Sequence, residues 1–289
     1  MSAVVLSIGG HLLSVEGDSA MQILDKVDAV NPFVTPASEC EWTVRYDVDV
    51  QPLAHPVVVS RFNYVENDSA CTFYNEGKYY QLTIVSPAGE LLVRLSYFFC
   101  ANVVDITSCH DYGAMRFSLW FAYSMLSAFS STSFVHSSTI IYSNKAVMFL
   151  GESGTGKSTQ SRMWLDNIEG VRLLNDDSPV ITVEGTPVAY GSPWSGKTPC
   201  YHNVSFPIAA VVRLSQAPFN AIRRLGIAEA FAALQPSLPP ALMQSEPFAD
   251  KLIDIISCII SVVPVYHLQC LPNADAARLC RDTVFGKNN

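Results

Sequence analysis

Val147-Met-Phe-Leu-Gly-Glu-Ser-Gly-Thr-Gly-Lys-Ser-Thr159 runs from apolar residues into glycines and then into a lysine and hydroxyls. Residues 151–158 fit GxxxxGK[ST], the P-loop pattern. Gly151, Gly154 and Gly156 let the backbone turn tightly and aim N–H groups inward at a polyphosphate. A helix opening at the loop's end adds the positive end of its dipole. Ser153, Thr155 and Thr159 complete the nucleotide-contacting stretch. Lys157 is expected to reach the outer phosphates, and the Ser158 hydroxyl can bind Mg²⁺. The apolar Ala146–Leu150 predicts a strand leading into the loop, and Thr159–Ile168 predicts the helix leaving it.

Further along, Val171-Arg-Leu-Leu-Asn-Asp-Asp-Ser-Pro179 reads as an apolar strand ending in paired carboxylates. That places Asp176 and Asp177 near the expected phosphates, where one could bind Mg²⁺ while the other takes a proton from an attacking hydroxyl. Only nineteen positions separate Lys157 from Asp176. ABC-type and AAA+-type ATPases place their second acidic motif much further on, and no ABC-type signature loop is visible. A second formal match, Gly191-Ser-Pro-Trp-Ser-Gly-Lys-Thr198, has the wrong surroundings for another P-loop. Pro193 stiffens it, Pro187-Val-Ala-Tyr190 is a short lead-in, and Pro199-Cys-Tyr-His-Asn203 does not read as a helix. It is expected to be a loop presenting Lys197, with Ser195 or Thr198, to the nucleotide or the acceptor. Arg213, after the apolar Ala209–Val212, is either a phosphate-facing cation or a surface arginine.

The short spacing resembles the HPr kinase/phosphorylase and phosphoenolpyruvate carboxykinase-like group of P-loop proteins. In that group a G-x-S-G-x-G-K-[ST] loop is soon followed by an apolar strand ending in Asp-Asp. The matching residues are Gly151, Ser153, Gly154, Gly156, Lys157 and Ser158, then Asp176 and Asp177. The kinase branch also carries a histidine at the start of the strand two before the loop. His136, in Val135-His-Ser-Ser-Thr-Ile-Ile141 and fifteen residues ahead of Gly151, matches that position.

The resemblance covers the chain from about residue 134 onward. It implies an α/β fold, a P-loop core with a mixed, carboxykinase-like sheet, beside a β-rich N-terminal region outside it. It also implies ATP and Mg²⁺, with Asp176 as base and Asp177 as Mg²⁺ ligand, or the two exchanged. The departures narrow the acceptor. A carboxykinase proper is much longer and has Mn²⁺ and oxaloacetate ligands without counterparts here. The arginine- and glycine-rich signature of the HPr enzymes is missing, and Gly191–Thr198 stands in roughly that region. The expectation is a kinase transferring the γ-phosphoryl group to a hydroxyl of a protein, peptide or small molecule other than HPr. Lys157, His136, Lys197 and Asp176 form its expected catalytic set. The alternatives are a nucleotide-binding regulatory module without transfer activity, and a carboxykinase- or phosphorylase-like enzyme.

The 289 residues are 49% hydrophobic and only 15% charged, against roughly 25% charged in ordinary domains. Such a chain is not intrinsically disordered. Its net charge of −8 argues against nucleic acid as a partner. The longest apolar stretches, Phe117–Ser130 and Ile255–Val265, fall short of the roughly 18–20 residues of a spanning helix, so no membrane partner is expected. The N-terminus lacks a basic n-region and a long h-region, and the eight cysteines form no CxxC pair, so a cytoplasmic protein with core cysteines is expected.

Residues 1–110 read as a β-rich recognition or homo-oligomerisation region, and 111–289 as the P-loop kinase-like domain. Alternation over Glu41–Val50, Val57–Val65, Ala70–Tyr74, Tyr79–Val85 and Leu91–Phe99, with turn residues such as Glu66–Ser69 between, predicts an antiparallel sheet. Beyond it, Gly113–Ser130 predicts a buried helix and Phe134–Tyr142 a strand, followed by a turn at Ser143-Asn-Lys145. Pro264–Leu271 predicts a strand, and Asn273 the N-cap of a last helix.

Overall fold

Period-two alternation in the N-terminal hundred residues does build a sheet, of eight strands. The structure, a computed structural model, describes the chain apart from residues 1, 26, 38, 65–67, 197 and 287–289. The chain forms two α/β units: the residues up to Ser130 together with Ala241–Ala249, and Ser131–Pro240 with the residues from Asp250 onward.

The first unit contains β1 (Ala3–Ile8), β2 (His11–Glu16), α1 (Asp18–Leu24), β3 (Trp42–Arg45) and β4 (Val57–Tyr64). It continues with β5 (Ser69–Glu76), β6 (Tyr79–Val85), β7 (Leu91–Phe98), β8 (Val103–Ile106) and α2 (Tyr112–Ser127). The strand order is β1-β2-β3-β8-β7-β6-β5-β4. The meander β4–β7 is antiparallel as expected, but β3 lies parallel to both β2 and β8, so the sheet is mixed. Arg45 marks the register opposite Asp105, with a bidentate pair at 2.7 and 3.0 Å. The ends of the expected strand at Val65 and of the turn at Glu66–Asn67 lie outside the described residues.

Helix α2 begins where Asp111 accepts the Ala114 N–H at 2.7 Å. It covers apolar sheet surface of the first unit: Phe121 meets Phe73 at 5.2 Å, Phe117 stacks on Tyr64 at 4.6 Å, and Tyr123 donates to the Ile8 carbonyl at 2.9 Å. A sheet with an apolar face needs such a layer. The division therefore falls after α2, at Ser130, rather than near residue 110. The segment 241–249 belongs here because Phe248, fully buried, sits among Tyr80 (5.1 Å), Phe129 (5.3 Å), Tyr97 (6.2 Å) and Phe73 (6.5 Å).

The second unit holds β9 (Thr132–Phe134), β10 (Ser138–Tyr142), β11 (Lys145–Leu150), α3 (Lys157–Asn167), β12 (Arg172–Asn175), β13 (Val180–Thr182) and β14 (Val188–Tyr190). Then come β15 (Ser205–Gln216), β16 (Ala221–Arg224), α4 (Ile227–Leu234), most of α5 (Glu246–Val262), β17 (Val265–Cys270) and α6 (Ala274–Phe285). Its mixed sheet runs β12-β10-β11-β15-β14-β13-β9, with β17 also on β15 and β16 on β17. β11, β15 and β17 are parallel. Trp164 of α3 and Ala277 and Cys280 of α6 pack on Val147, Phe149, Val212, Leu214 and Leu268.

The expected turn joins β10 to β11, with Ser143 and Asn144 at φ of 48° and 56°, the left-handed pair a two-residue hairpin uses. Asn273 caps α6 as expected, accepting from Ala276 N at 3.0 Å. The expected strand Phe134–Tyr142 is divided instead: at 135–137 the backbone leaves one partner and takes others. His136 N donates to the Ser237 carbonyl at 2.7 Å and Ser137 N to that of Asp177 at 3.0 Å.

The run Ile255–Val265 is likewise split between α5 and β17. Leu252, Ile255, Ile256 and Ile259 form the buried stripe of α5, a helical period. Among the described residues no helix is long and apolar enough to cross a membrane. Truncating the aromatic plug of the first unit, Phe248→Ala, is expected to cost about 3–5 kcal/mol, measured by urea denaturation followed by near-UV circular dichroism.

Candidate functional site

The apolar residues of β11 end at Leu150, and the glycine-rich loop 151–156 carries the chain to the first turn of α3. Gly154 and Gly156 adopt φ of +82° and +104°, values that side chains with a Cβ rarely reach. Gly156 is the N-cap of α3, so the unpaired amides of the helix start open onto the loop. Ser153, Ser158 and Thr159 are exposed, while Thr155 is half-buried and folds its hydroxyl back to the Glu152 carbonyl.

Lys157 behaves differently from its exposed neighbours. Its ammonium is buried and donates to the carbonyls of Gly151 at 2.8 Å and Glu152 at 3.4 Å. The third direction leads to Nε2 of His136 at 3.0 Å, and Nδ1 of that ring lies 3.3 Å from Oδ1 of Asp177. An ammonium only donates and a carboxylate only accepts, so the neutral Nδ1–H tautomer satisfies both ends. Burial lowers the lysine's pKa from its ordinary value, the Asp177 and Asp176 carboxylates oppose that shift, and Arg213 adds to it. An entering anion would therefore find a cation that is under-solvated and close to the loop amides.

The two aspartates, adjacent at the end of β12, have different surroundings. Asp176 is buried and accepts from the Ser138 hydroxyl at 2.6 Å. Ser138, having given its proton, must accept from Ser161 of α3, also 2.6 Å away. Asp177 is partly exposed, beside His136, and accepts from its neighbour Ser178 at 2.8 Å. Within 132–141 His136 is the one exposed residue, since the break between β9 and β10 turns it outward.

What holds the aspartate turn is Asn175, fully buried at the strand end. Its Oδ1 accepts from the backbone N–H of Asp177 and of Ser178, each at 2.9 Å. Its Nδ2 donates to the Ser192 hydroxyl and the Trp194 carbonyl, each at 3.1 Å. The described residues of Gly191–Thr198 form a loop, as expected, which packs against the same turn. A Cβ on Gly196 would stand 2.9 Å from the Asp176 carbonyl. Ser195 donates to the Thr198 carbonyl at 2.7 Å, and so serves its own loop. Lys197, expected in the site, lies outside the described residues. Cys200 follows, its thiol donating to the Leu174 carbonyl at 3.3 Å and pushed up to about 11 by burial.

Arg213, on β15, approaches the loop with Nη2 3.7 Å from Glu152 Oε1. The structure thus brings Lys157, His136, Asp176, Asp177 and Arg213 around the residues 151–159. Sequence reasoning missed Ser138, Asn175, Ser161 and Ser192. Their signal was polarity inside apolar surroundings, clearest at Asn175 directly before the aspartates. No protein-family model matches this chain, and no curated protein matches it.

Asn175→Ala would leave two backbone N–H groups, one buried and one part-buried, without their partner and detach the 191–198 loop. The expected loss is about 2–3 kcal/mol, read as a lower midpoint in thermal denaturation, with faster proteolytic cleavage between 191 and 198.

Proposed function

We propose that the second unit is an ATP- and Mg²⁺-dependent kinase with a P-loop core of the carboxykinase-like kind, transferring the γ-phosphoryl group to a hydroxyl. The observation carrying this reading is the chain Lys157–His136–Asp177, with contacts of 3.0 and 3.3 Å at the mouth of a glycine loop. Pure nucleotide binding does not require a second carboxylate, paired with an imidazole, beyond the one that serves the metal. The resemblance to the HPr kinase group supports the same reading from the spacing of the motifs.

The donor set fits Mg²⁺. Ser158 offers an exposed hydroxyl and β12 ends in carboxylates, while the described residues hold no cluster of three His, Cys, Asp or Glu. A hard cation of this type takes one or two protein oxygens and completes its shell with phosphate and water. When bound, it neutralises charge on the transferred group.

The loop amides and Lys157 hold the β- and γ-phosphates, the lysine exchanging its carbonyl and imidazole partners for phosphate oxygens. Asp176 is tied through Ser138 and Ser161 to α3, the helix whose first turn carries Ser158, and supplies the metal-side carboxylate. Asp177 is the accessible carboxylate and faces the acceptor. It takes the hydroxyl proton as that oxygen bonds to the γ-phosphorus and the bond to the bridging β,γ-oxygen breaks, releasing nucleoside diphosphate. His136 orients Asp177 from the other side. These roles are exchanged relative to those the resemblance assigns first, and the difference in exposure is the reason. Catalysis then consists of positioning and charge neutralisation.

Asp177→Asn is expected to lower γ-phosphoryl transfer from labelled ATP by on the order of 10²–10⁴-fold while leaving ATP-induced thermal stabilisation intact. If Asp176→Asn does this and Asp177→Asn does not, the roles are reversed. Nucleotide binding with neither transfer nor hydrolysis across a broad set of acceptors would leave a regulatory module instead. Lys157→Met is expected to abolish the thermal shift, which in the native protein reaches about 2.7 kcal/mol at a hundredfold excess over Kd.

A further inference from the structure

We infer that an uncharged cavity beside the glycine loop receives the base and ribose of a purine nucleotide, with the carboxamides of Gln160 and Gln216 as its hydrogen-bonding groups. This rests on the nucleotide-binding reading above and adds which part of the ligand goes where. The cavity has a volume of about 590 Å³, within the range of small-molecule sites. One wall is the loop and the start of α3, from Gly154 to Gln160. The other is formed where the parallel strands β15 and β17 end, by Gln216, Cys270 and Pro272. Open sheets bind ligands at the carboxyl ends of their parallel strands.

Three features select the occupant. First, none of the residues lining the cavity carries a charge, although the adjoining loop is built for a polyanion. A ligand seated on the loop would therefore direct its neutral end here. Second, Gln160 is only 2% exposed, and its Nε2 has no hydrogen-bond partner among the described residues. A buried amide donor left unpaired is destabilising, a cost that a ligand acceptor in the adjoining cavity would remove. Third, Gln216 donates from Nε2 to the Gly154 carbonyl at 3.2 Å, which fixes its carboxamide against the loop. Its Oε1 remains to accept from an exocyclic amine. Leu271 and Pro272 supply apolar surface for a ring face. Donor, acceptor and flat apolar wall together match the edge and face of a purine.

The register of β15 separates this cavity from the chemistry. Gln216 follows Val212 and Leu214 at alternate positions, on the face covered by α3, whereas Arg213 points to the opposite face and meets Glu152.

The test compares ATP with inorganic tripolyphosphate, which engages the loop alone. The native protein should bind ATP at least about tenfold more tightly than tripolyphosphate. Gln216→Leu should weaken ATP about five- to tenfold more than it weakens tripolyphosphate. As a measurement needing no variant, ATP should slow alkylation of Cys270, followed by peptide mass spectrometry, and tripolyphosphate should not. Equal affinity for the two probes, with Cys270 equally reactive in both, would overturn the cavity assignment and leave the loop assignment standing. Failure of both probes to bind would overturn both.

Discussion

The carboxamide of Asn175 has two donors and two acceptor lone pairs and no access to water, so the protein must satisfy each of them. It does so with two amides of the following turn, a serine hydroxyl and a tryptophan carbonyl. These bonds tie the end of β12 to the 191–198 loop and determine where the chain goes after the strand. Asp176 is thereby turned inward toward Ser138 and α3, and Asp177 outward toward His136. Without this anchor the aspartate pair would be two exposed carboxylates at a strand end, free to separate and hydrate.

Scarcity of charge sharpens the effect. With 15% charged residues, most of the interior offers no counterion, and a buried lysine is costly unless its donors are met. Lys157 meets them with two carbonyls and one imidazole rather than with a directly bonded carboxylate. Carbonyls and imidazole are dipoles, weaker competitors for an ammonium than a full negative charge. A phosphate can displace them where it would struggle to displace an aspartate. The same economy would let an acidic protein of net charge −8 present the proposed anion site, with amides and one desolvated lysine sufficing locally.

Much of this site was legible in the sequence because its parts are contiguous. The glycines, Lys157 and the start of α3 fall in one window, and the apolar run before Asp176 and Asp177 announces β12. His136 needed the resemblance, since a lone histidine in a β-rich run has no local signature of function. The N-terminal strands were legible too, because alternation is a local property. The direction of β3 was not: Val44 pairs with Val104, and nothing within a ten-residue window specifies a partner sixty positions away. Helix α2 was recognised as buried, but periodicity states only that a helix is covered, not by which unit. Gln160 and Asn175 read as ordinary polar residues because their burial is created by segments remote in the chain.

The length of β15 bears on how the second unit comes together. The hairpin of β10 and β11 closes over a two-residue turn and can form locally, within microseconds. The parallel ladder between β11 and β15 pairs Ala146 with Ile208, sixty-two positions apart, and closing a loop of that length costs on the order of 3–4 kcal/mol before any pairing repays it. Until that ladder zips, β11 is an edge strand with Val147 and Phe149 uncovered, and the glycine loop hangs from an unsupported end. β17 must then dock on β15, with Val211 pairing Val265. The cavity wall therefore exists only where both of these long-range ladders are made, and a molecule that occupies it would bind only chains in which they are complete.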